Sequence, residues 1–473
     1  SGQGHPRPES KKCLDPSPGV AGLRLRAPAA LTPAAKGGYH AAMRIPELLL
    51  PAGDMESLAT ALLYGADAVY LGADGPNLRA RAAGFAADGL AQAVATARAA
   101  GVKVYVCLNA TPRQQDLALV RQGLDQAVEA RADGLIVADP GVARLAVRHA
   151  PSLPLHVSTQ ANTRNAEALA FWRDFGATRA NLARECAAAE VAALCAARDR
   201  ELPGFELEIF AHGAQCMAFS GRCQLSVHLT ERAVNQPGRT ACMGACAHPC
   251  RYEYRLRAVL EERKREGSEA WEVLEQRTDD PKAPGNEAWT QYFAPQDLCL
   301  IWHARWLAKL GVDCLKIEGR TRSSAYLAVV ADAWRFALDS LKTGGFQPRP
   351  ALAELRHAAT RPLTGGLFGA DPRRTIPGLN LAAPRSLPLL RVLAALDKIT
   401  SGPAWDVELK GAFDPARPEG LTLILPGLAR PVLGPGEFRL ERPDGLPLHA
   451  AHPGLRAVLF AAHPGLRPGV FAR

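Results

Sequence analysis

From Met43 onward, short apolar runs alternate with longer stretches in which apolar positions recur at helical spacing. The runs predict strands at residues 45–50, 68–71, 102–108, 134–138, 155–159, 180–182, 207–210 and 314–317. Strands separated by helices of this length pair in parallel through right-handed crossovers. The expected fold is therefore α/β, a TIM-like (β/α) barrel. An open doubly wound sheet is the alternative, but no Gly-x-Gly-x-x-Gly follows the first strand to support dinucleotide binding. The steps Gly65-Ala-Asp67 and Gly311-Val-Asp313 each end a helix and launch a strand. A strong helical stretch over 326–341 closes this unit.

The pattern also divides the chain. Residues 1–42 have no hydrophobic signal core and are rich in Pro, Gly, Ala and Arg, so they read as a disordered N-terminal extension with Met43 as a natural start. Residues 43–345 form the barrel unit, with a cysteine cluster at 216–250 and a charged, irregular surface insertion at 261–292. Residues 346–473 read as a helical linker and a small C-terminal β-rich domain or tail, with alternating runs at 421–425 and 437–441. Ala-Ala-His-Pro-Gly-Leu-Arg occurs at 450–456 and again at 461–467, a duplication too short to form a solenoid.

Within strands, side chains alternate faces. The even positions of His156-Val-Ser158-Thr-Gln160-Ala-Asn162 are all polar, and Lys316, Glu318 and Arg320 alternate in the same way. Charged groups pointing into a barrel are costly unless they pair or meet a ligand near its open end. Barrel enzymes place chemistry at the C-terminal ends of strands. Lys316, Glu318, Arg320 and Gln160 are thus catalytic candidates, with structural ion pairing as the competing explanation. Asn109 at the end of the third strand, Asn162 after the fifth, and Arg79, Arg81 and Arg184 after others would face the same mouth and could bind a small molecule. A dicarboxylate suits a bidentate guanidinium.

The densest chemistry lies between Cys216 and Cys250, where five of the eleven cysteines fall: Cys216, Cys223, Cys242, Cys246 and Cys250. Four thiolates from one short segment can hold zinc or an iron–sulfur cluster. Cys216 and Cys223 are spaced more widely than a zinc knuckle, so the cluster fits better. Chance clustering of core thiols and disulfides in an oxidising compartment are the alternatives. His212, just before the run, could orient a ligand or donate to a sulfur.

Glu208-Ile-Phe-Ala-His212-Gly-Ala-Gln-Cys216-Met-Ala-Phe-Ser-Gly-Arg-Cys223, with Asn235-Gln236 and Gly244-Ala-Cys246-Ala-His-Pro-Cys250-Arg251, resembles the signature of the collagenase-like peptidase family U32. Glu47-Leu-Leu-Leu-Pro51-Ala-Gly53, Tyr64-Gly-Ala-Asp67, Leu78-Arg-Ala-Arg81, His156-Val-Ser-Thr-Gln160 and Leu315-Lys-Ile-Glu318-Gly-Arg320 carry the resemblance across about residues 43–337. Within the family the motif is most similar to the branch that hydroxylates the wobble uridine of tRNA. That resemblance implies 5-hydroxyuridine formation in the tRNA anticodon region, a 4Fe-4S cluster on Cys216, Cys223, Cys246 and Cys250, and prephenate as co-substrate. It further implies a cytoplasmic enzyme, with a redox or sulfur-cluster partner conceivable. Cys242, in an insertion, and Cys299 are reserve ligands. A U32-type peptidase and a non-enzymatic redox accessory protein are the competing functions. Against the first, no His-Glu-x-x-His or Gly-x-Ser-x-Gly occurs.

Composition adds little to this. The 473 residues are 48% hydrophobic and 22% charged, ordinary for a globular chain, and no apolar run approaches a membrane span, so no membrane association is expected. The net charge of +9 suits an anionic partner such as RNA, although residues 1–42 supply +4 of it.

Overall fold

The computed structural model describes residues 43–73, 85–230, 240–252, 293–369, 388–396, 402–413, 420–448 and 450–473. The N-terminal extension, the insertion at 261–292, Arg79, Arg81 and Asn235-Gln236 lie outside the described residues. Seven parallel strands run in order of sequence: β1 (Glu47–Pro51), β2 (Ala68–Gly72), β3 (Lys103–Leu108), β4 (Gly134–Val137), β5 (Leu155–Val157), β6 (Ala177–Asn181) and β7 (Glu206–Ala214). Then β8 (Asp297–Cys299) turns back antiparallel onto the end of β7, and β9 (Cys314–Ile317) slots between β7 and β1. That insertion closes an eight-stranded parallel barrel, as expected. β10 (Leu363–Thr364) extends the sheet beside β8.

Helices α1 (Met55–Leu63), α2 (Ala87–Ala99), α3 (Leu117–Glu129), α4 (Pro140–His149), α5 (Ala166–Asp174) and α6 (Ala188–Glu201) form the crossovers. Helix α7 (Leu225–Thr230) lies in the cysteine-rich excursion, α8 (Ala304–Lys309) and α9 (Ser324–Lys342) flank β9, and α10 (Pro348–Ala358) packs on α9. The strands are buried on both faces, which is why they read as apolar runs. Outward-facing Leu48, Leu50, Val69, Leu71 and Val106 join the core beneath the helices. Inward-facing Leu49, Tyr70, Tyr105, Cys107, Ile136 and Cys314 form a separate interior cluster.

One device recurs at the strand starts. Asp67, Asp133 and Asp313 each sit one residue before a strand and accept the backbone N–H of the neighbouring strand: Leu48 at 2.8 Å, Val104 at 2.8 Å and Leu207 at 2.9 Å. The preceding Gly65 and Gly311, at φ +90 and +73, end their helices in the left-handed region. The Gly-x-Asp step thus both stops a helix and fixes the register of the next strand pair.

The C-terminal region is a seven-stranded antiparallel sheet of β11 (Leu390–Leu396), β12 (Ala404–Leu409), β13 (Leu421–Ile424), β14 (Val432–Leu433), β15 (Phe438–Glu441), β16 (Arg456–Ala461) and β17 (Phe471–Ala472). The duplicated segments flank β16 as turns, closed by Leu455 donating to the His452 carbonyl and Leu466 to that of His463. The sheet is tied to the barrel helices. Tyr64 donates to the Ile424 carbonyl at 2.7 Å, and Asp332 of α9 accepts from the Gly427 N–H at 2.7 Å and pairs with Arg430 at 2.6 Å. Among the described residues no helix is long and apolar enough to cross a membrane.

Candidate active site at the barrel mouth

Among the apolar and aromatic side chains of the barrel interior run buried charged groups. Near the N-terminal face, Arg179 of β6 pairs with Glu47 of β1 at 2.7 Å and Glu206 of β7 at 2.6 Å, and its guanidinium lies over Tyr105. Above it, Glu208 accepts from Asn181 at 2.6 Å and from Lys316 at 2.9 Å. His156 packs edge-on against Tyr105, and burial, followed by the positive charge of Arg179 and Lys316, holds it well below its ordinary value, so it is neutral. These buried charges satisfy one another, which meets the condition for keeping them out of water.

At the C-terminal ends of the strands the interior opens to solvent through a small chamber of about 50 Å³. Asn109, Gln160, Arg184, Lys316, Glu318 and Arg320 all line it, so six of the sequence candidates meet at one mouth. Lys316 lies 4.4 Å from the Tyr70 ring centre, and Tyr70 itself donates to the Ile317 carbonyl at 2.8 Å. Arg184 stacks over Phe210 at 3.9 Å, donates to the Ala214 carbonyl at 2.9 Å and approaches Glu318 at 3.4 Å. Its plane is therefore fixed before any ligand arrives. The competing explanation, ion pairing, accounts for Lys316 with Glu208 and part of Arg184.

Two candidates sit elsewhere. Asn162 adopts a left-handed turn at φ 55 and is not among the residues lining the chamber; its side-chain amide is buried without a hydrogen-bond partner. His212 faces the helices, with its ring against Trp334 of α9, and burial pushes it down to about 3. The reason is a bulge: β7 gains a residue between Phe210 and His212 relative to β9, so Phe210 pairs with inward-facing Lys316 but His212 pairs with outward-facing Ile317. Strict alternation would have kept His212 in the mouth. Tyr70, Cys107, Ser158, Thr159 and Phe210 also line the chamber and were missed by the sequence reading. All but Thr159 lie on the alternating face of their strands or strand ends, a signal that was present.

The cysteine loop is pinned directly over this mouth. Gly221, at φ +78, lies so close to Gln160 that a Cβ would stand 3.0 Å from its Nε2. Arg222 donates to the Gln160 carbonyl at 3.4 Å, and the Thr111 N–H donates to the Cys242 carbonyl at 3.0 Å. Ser226 of α7 accepts the Ala247 N–H at 2.9 Å, joining the two cysteine segments. Burial pushes the Cys250 thiol up; Arg251 opposes this, and Cys216, Cys246 and Cys223 push it up further, so the four thiols share one electrostatic neighbourhood. As the side chains stand, no group of three or more His, Cys, Asp or Glu among the described residues is disposed to hold a metal ion. Electrostatic influence reaches further than a metal–sulfur bond, and thiols have nothing to draw them together until a metal binds. The donor set fits a thiolate-bound group; the closed geometry is not preformed. His248 donates its N–H to the Cys246 sulfur at 3.3 Å. Cys299 is a poor reserve ligand: it is fully buried, and burial pushes its thiol up to about 12.

A closed barrel with a polar, cationic chamber at the C-terminal ends of its strands, roofed by a cysteine loop, defines a barrel enzyme with a site of the usual placement. Residues 53–376 match the model of peptidase family U32, and the chain belongs to that family. It is 35% identical over 347 residues to tRNA hydroxylation protein P of Escherichia coli (strain K12), covering 68% of this chain and 74% of that protein. It is 35% identical over 303 residues to tRNA hydroxylation protein P1 of Bacillus subtilis (strain 168), covering 64% and 65%. It is also 32% identical over 311 residues to a collagenase of Porphyromonas gingivalis, covering 63% and 67%.

Proposed function

We propose that this protein hydroxylates RNA, and specifically that it forms 5-hydroxyuridine at the wobble position of tRNA. Its co-factors on this reading are a 4Fe-4S cluster on Cys216, Cys223, Cys246 and Cys250 and prephenate, a small dicarboxylate. The names of its relatives support the RNA substrate. The observation that carries the reading is the shared wall at Gln160, which puts the cysteine loop and the cationic chamber in one site.

Two further features support the cofactors. Arg184, Lys316 and Arg320 converge on the chamber, a donor set suited to two carboxylates. Beside Cys250, Arg251 is partly buried with Arg322 and Arg361 nearby, and the carboxylate closest to the three, Asp297, is already paired with the other two. Such a cation is stabilised by an anion next to it, and a thiolate-ligated cluster is anionic. When bound, the cluster would supply one-electron chemistry. The chain's own part is to bind and orient: Arg184, braced flat on Phe210, would grip a carboxylate, and the loop would keep bulk water from the chamber.

Deletion of the gene should remove hydroxylated uridine from tRNA digests examined by mass spectrometry, and the intact protein but not Cys216→Ala should restore it. Unchanged tRNA nucleosides after deletion, with peptide cleavage by the purified protein, would contradict the proposal.

A further inference from the structure

A second, larger cavity of about 440 Å³, open to solvent, lies between the cysteine loop and the ends of β3 and β4. Its wall includes Thr111, Asp139, Gln160, Ser220, Gln224 and Val227. Gln160 also lines the barrel-mouth chamber, so the two spaces share a wall residue. Ser220, only 5% exposed, lines this cleft and its Oγ has no hydrogen-bond partner. A buried hydroxyl without a partner is a cost that a bound polar ligand would remove.

The loop that supplies Ser220 also carries exposed groups. Met217 and Phe219, on the same loop, are each 56% exposed, and Arg222 is exposed at the cleft wall. Large apolar side chains held out in water on the loop that walls a polar slot and carries a cation match the needs of one nucleotide: a stacking surface, a hydrogen-bonding edge and a phosphate contact. An enzyme acting on a base must take it out of the stack.

We infer that this cleft seats a single unstacked nucleotide of the RNA, with its base edge toward Gln160 and Ser220 and its phosphate at Arg222. The inference rests on the RNA reading proposed above and adds where the RNA enters. The small acid and the base then occupy adjoining compartments, meeting at Gln160, with the cysteine loop forming a wall of the outer one.

The test is photocrosslinking of the full-length protein, purified without oxygen, to an anticodon stem–loop carrying a thiouridine at the wobble position, followed by peptide mapping. Crosslinks should fall within residues 219–227, and Val227→Trp, which fills the cleft, should lower their yield roughly tenfold, the scale of one lost base-stacking contact. Arg222→Glu, on the exposed loop, gives the same expectation should the tryptophan variant fail to fold. Crosslinks elsewhere that neither variant alters, on a protein that still binds and modifies tRNA, overturn the cleft assignment alone. No crosslink and no tRNA binding by the wild type overturns the RNA reading as well, and displacement of the crosslink by a collagen peptide would reassign the cleft to a protein substrate.

Discussion

Inside the barrel the Lys316 Nζ lies 2.9 Å from Glu208 and over the Tyr70 ring face. Removing one partner of such a pair strands the other. Lys316→Met should therefore cost about 3–5 kcal/mol in urea unfolding, and adding Glu208→Gln should recover much of that loss. A double variant whose loss equals the sum of the Lys316→Met and Glu208→Gln losses would show that the pair is not coupled. His212 gives a pH signature of its own. Burial, reinforced by the positive charge of Arg322, lowers it from 6.5 to about 3 in the fold, so the unfolded chain takes up a proton first. Its contribution is fully present above 6.5 and is lost progressively as the pH falls toward about 3. His212→Gln should reduce the acid-side slope of stability by about one proton, ~1.4 kcal/mol per pH unit, measured by unfolding between about pH 6 and 4. An unchanged slope would mean that His212 is already charged in the fold. At this level the sequence was legible wherever a plain strand alternated, as at Lys316, Glu318 and Arg320. It misled at His212, where one bulge residue changed the phase. The interior partners Arg179, Asn181 and Glu208 carry the same alternation, yet their pairing crosses strands and is invisible to local spacing.

The element that brings the two halves of the site together is the end of β7. Gly213, at φ +109, lies against β9 so closely that a Cβ would stand 2.7 Å from the Glu318 carbonyl oxygen and 2.9 Å from its Cβ. Backbone cannot yield as a flexible side chain does. Gly213→Ala should cost about 1–3 kcal/mol and displace Glu318 from the mouth, read as a lowered melting temperature together with weakened binding of the small acid. Full binding with unchanged stability would remove this contact from the description of the site. All eight barrel strands were expected, although β6, with Thr178 and Arg179 in it, begins at Ala177, three residues before the run read at 180–182. The short β8 and β10 were not, since Asp297-Leu-Cys299 and Leu363-Thr364 form no apolar run. The predicted helix over 326–341 runs from Ser324 to Lys342, where Ser323 accepts the Tyr326 N–H as an N-cap.

Across the whole molecule, the antiparallel sheet braces the barrel on the α1, α9 and α10 side. Phe471 and Ile424 of that sheet belong to the barrel's own core, and Arg473 pairs with Glu354 of α10 at 2.9 Å. Only β13 and β15 were legible here, because the Pro- and Gly-rich turns between short strands mask their alternation. The RNA chemistry proposed for the mouth depends on one property of residues 216–250, that their thiols would gather around iron. The direct measurement is iron and acid-labile sulfide content, with the visible spectrum, on protein purified without oxygen. About four irons and four sulfides per chain, lost in Cys216→Ala, is the expected result. Zinc alone, or no metal and freely reactive thiols at all four positions, would contradict it.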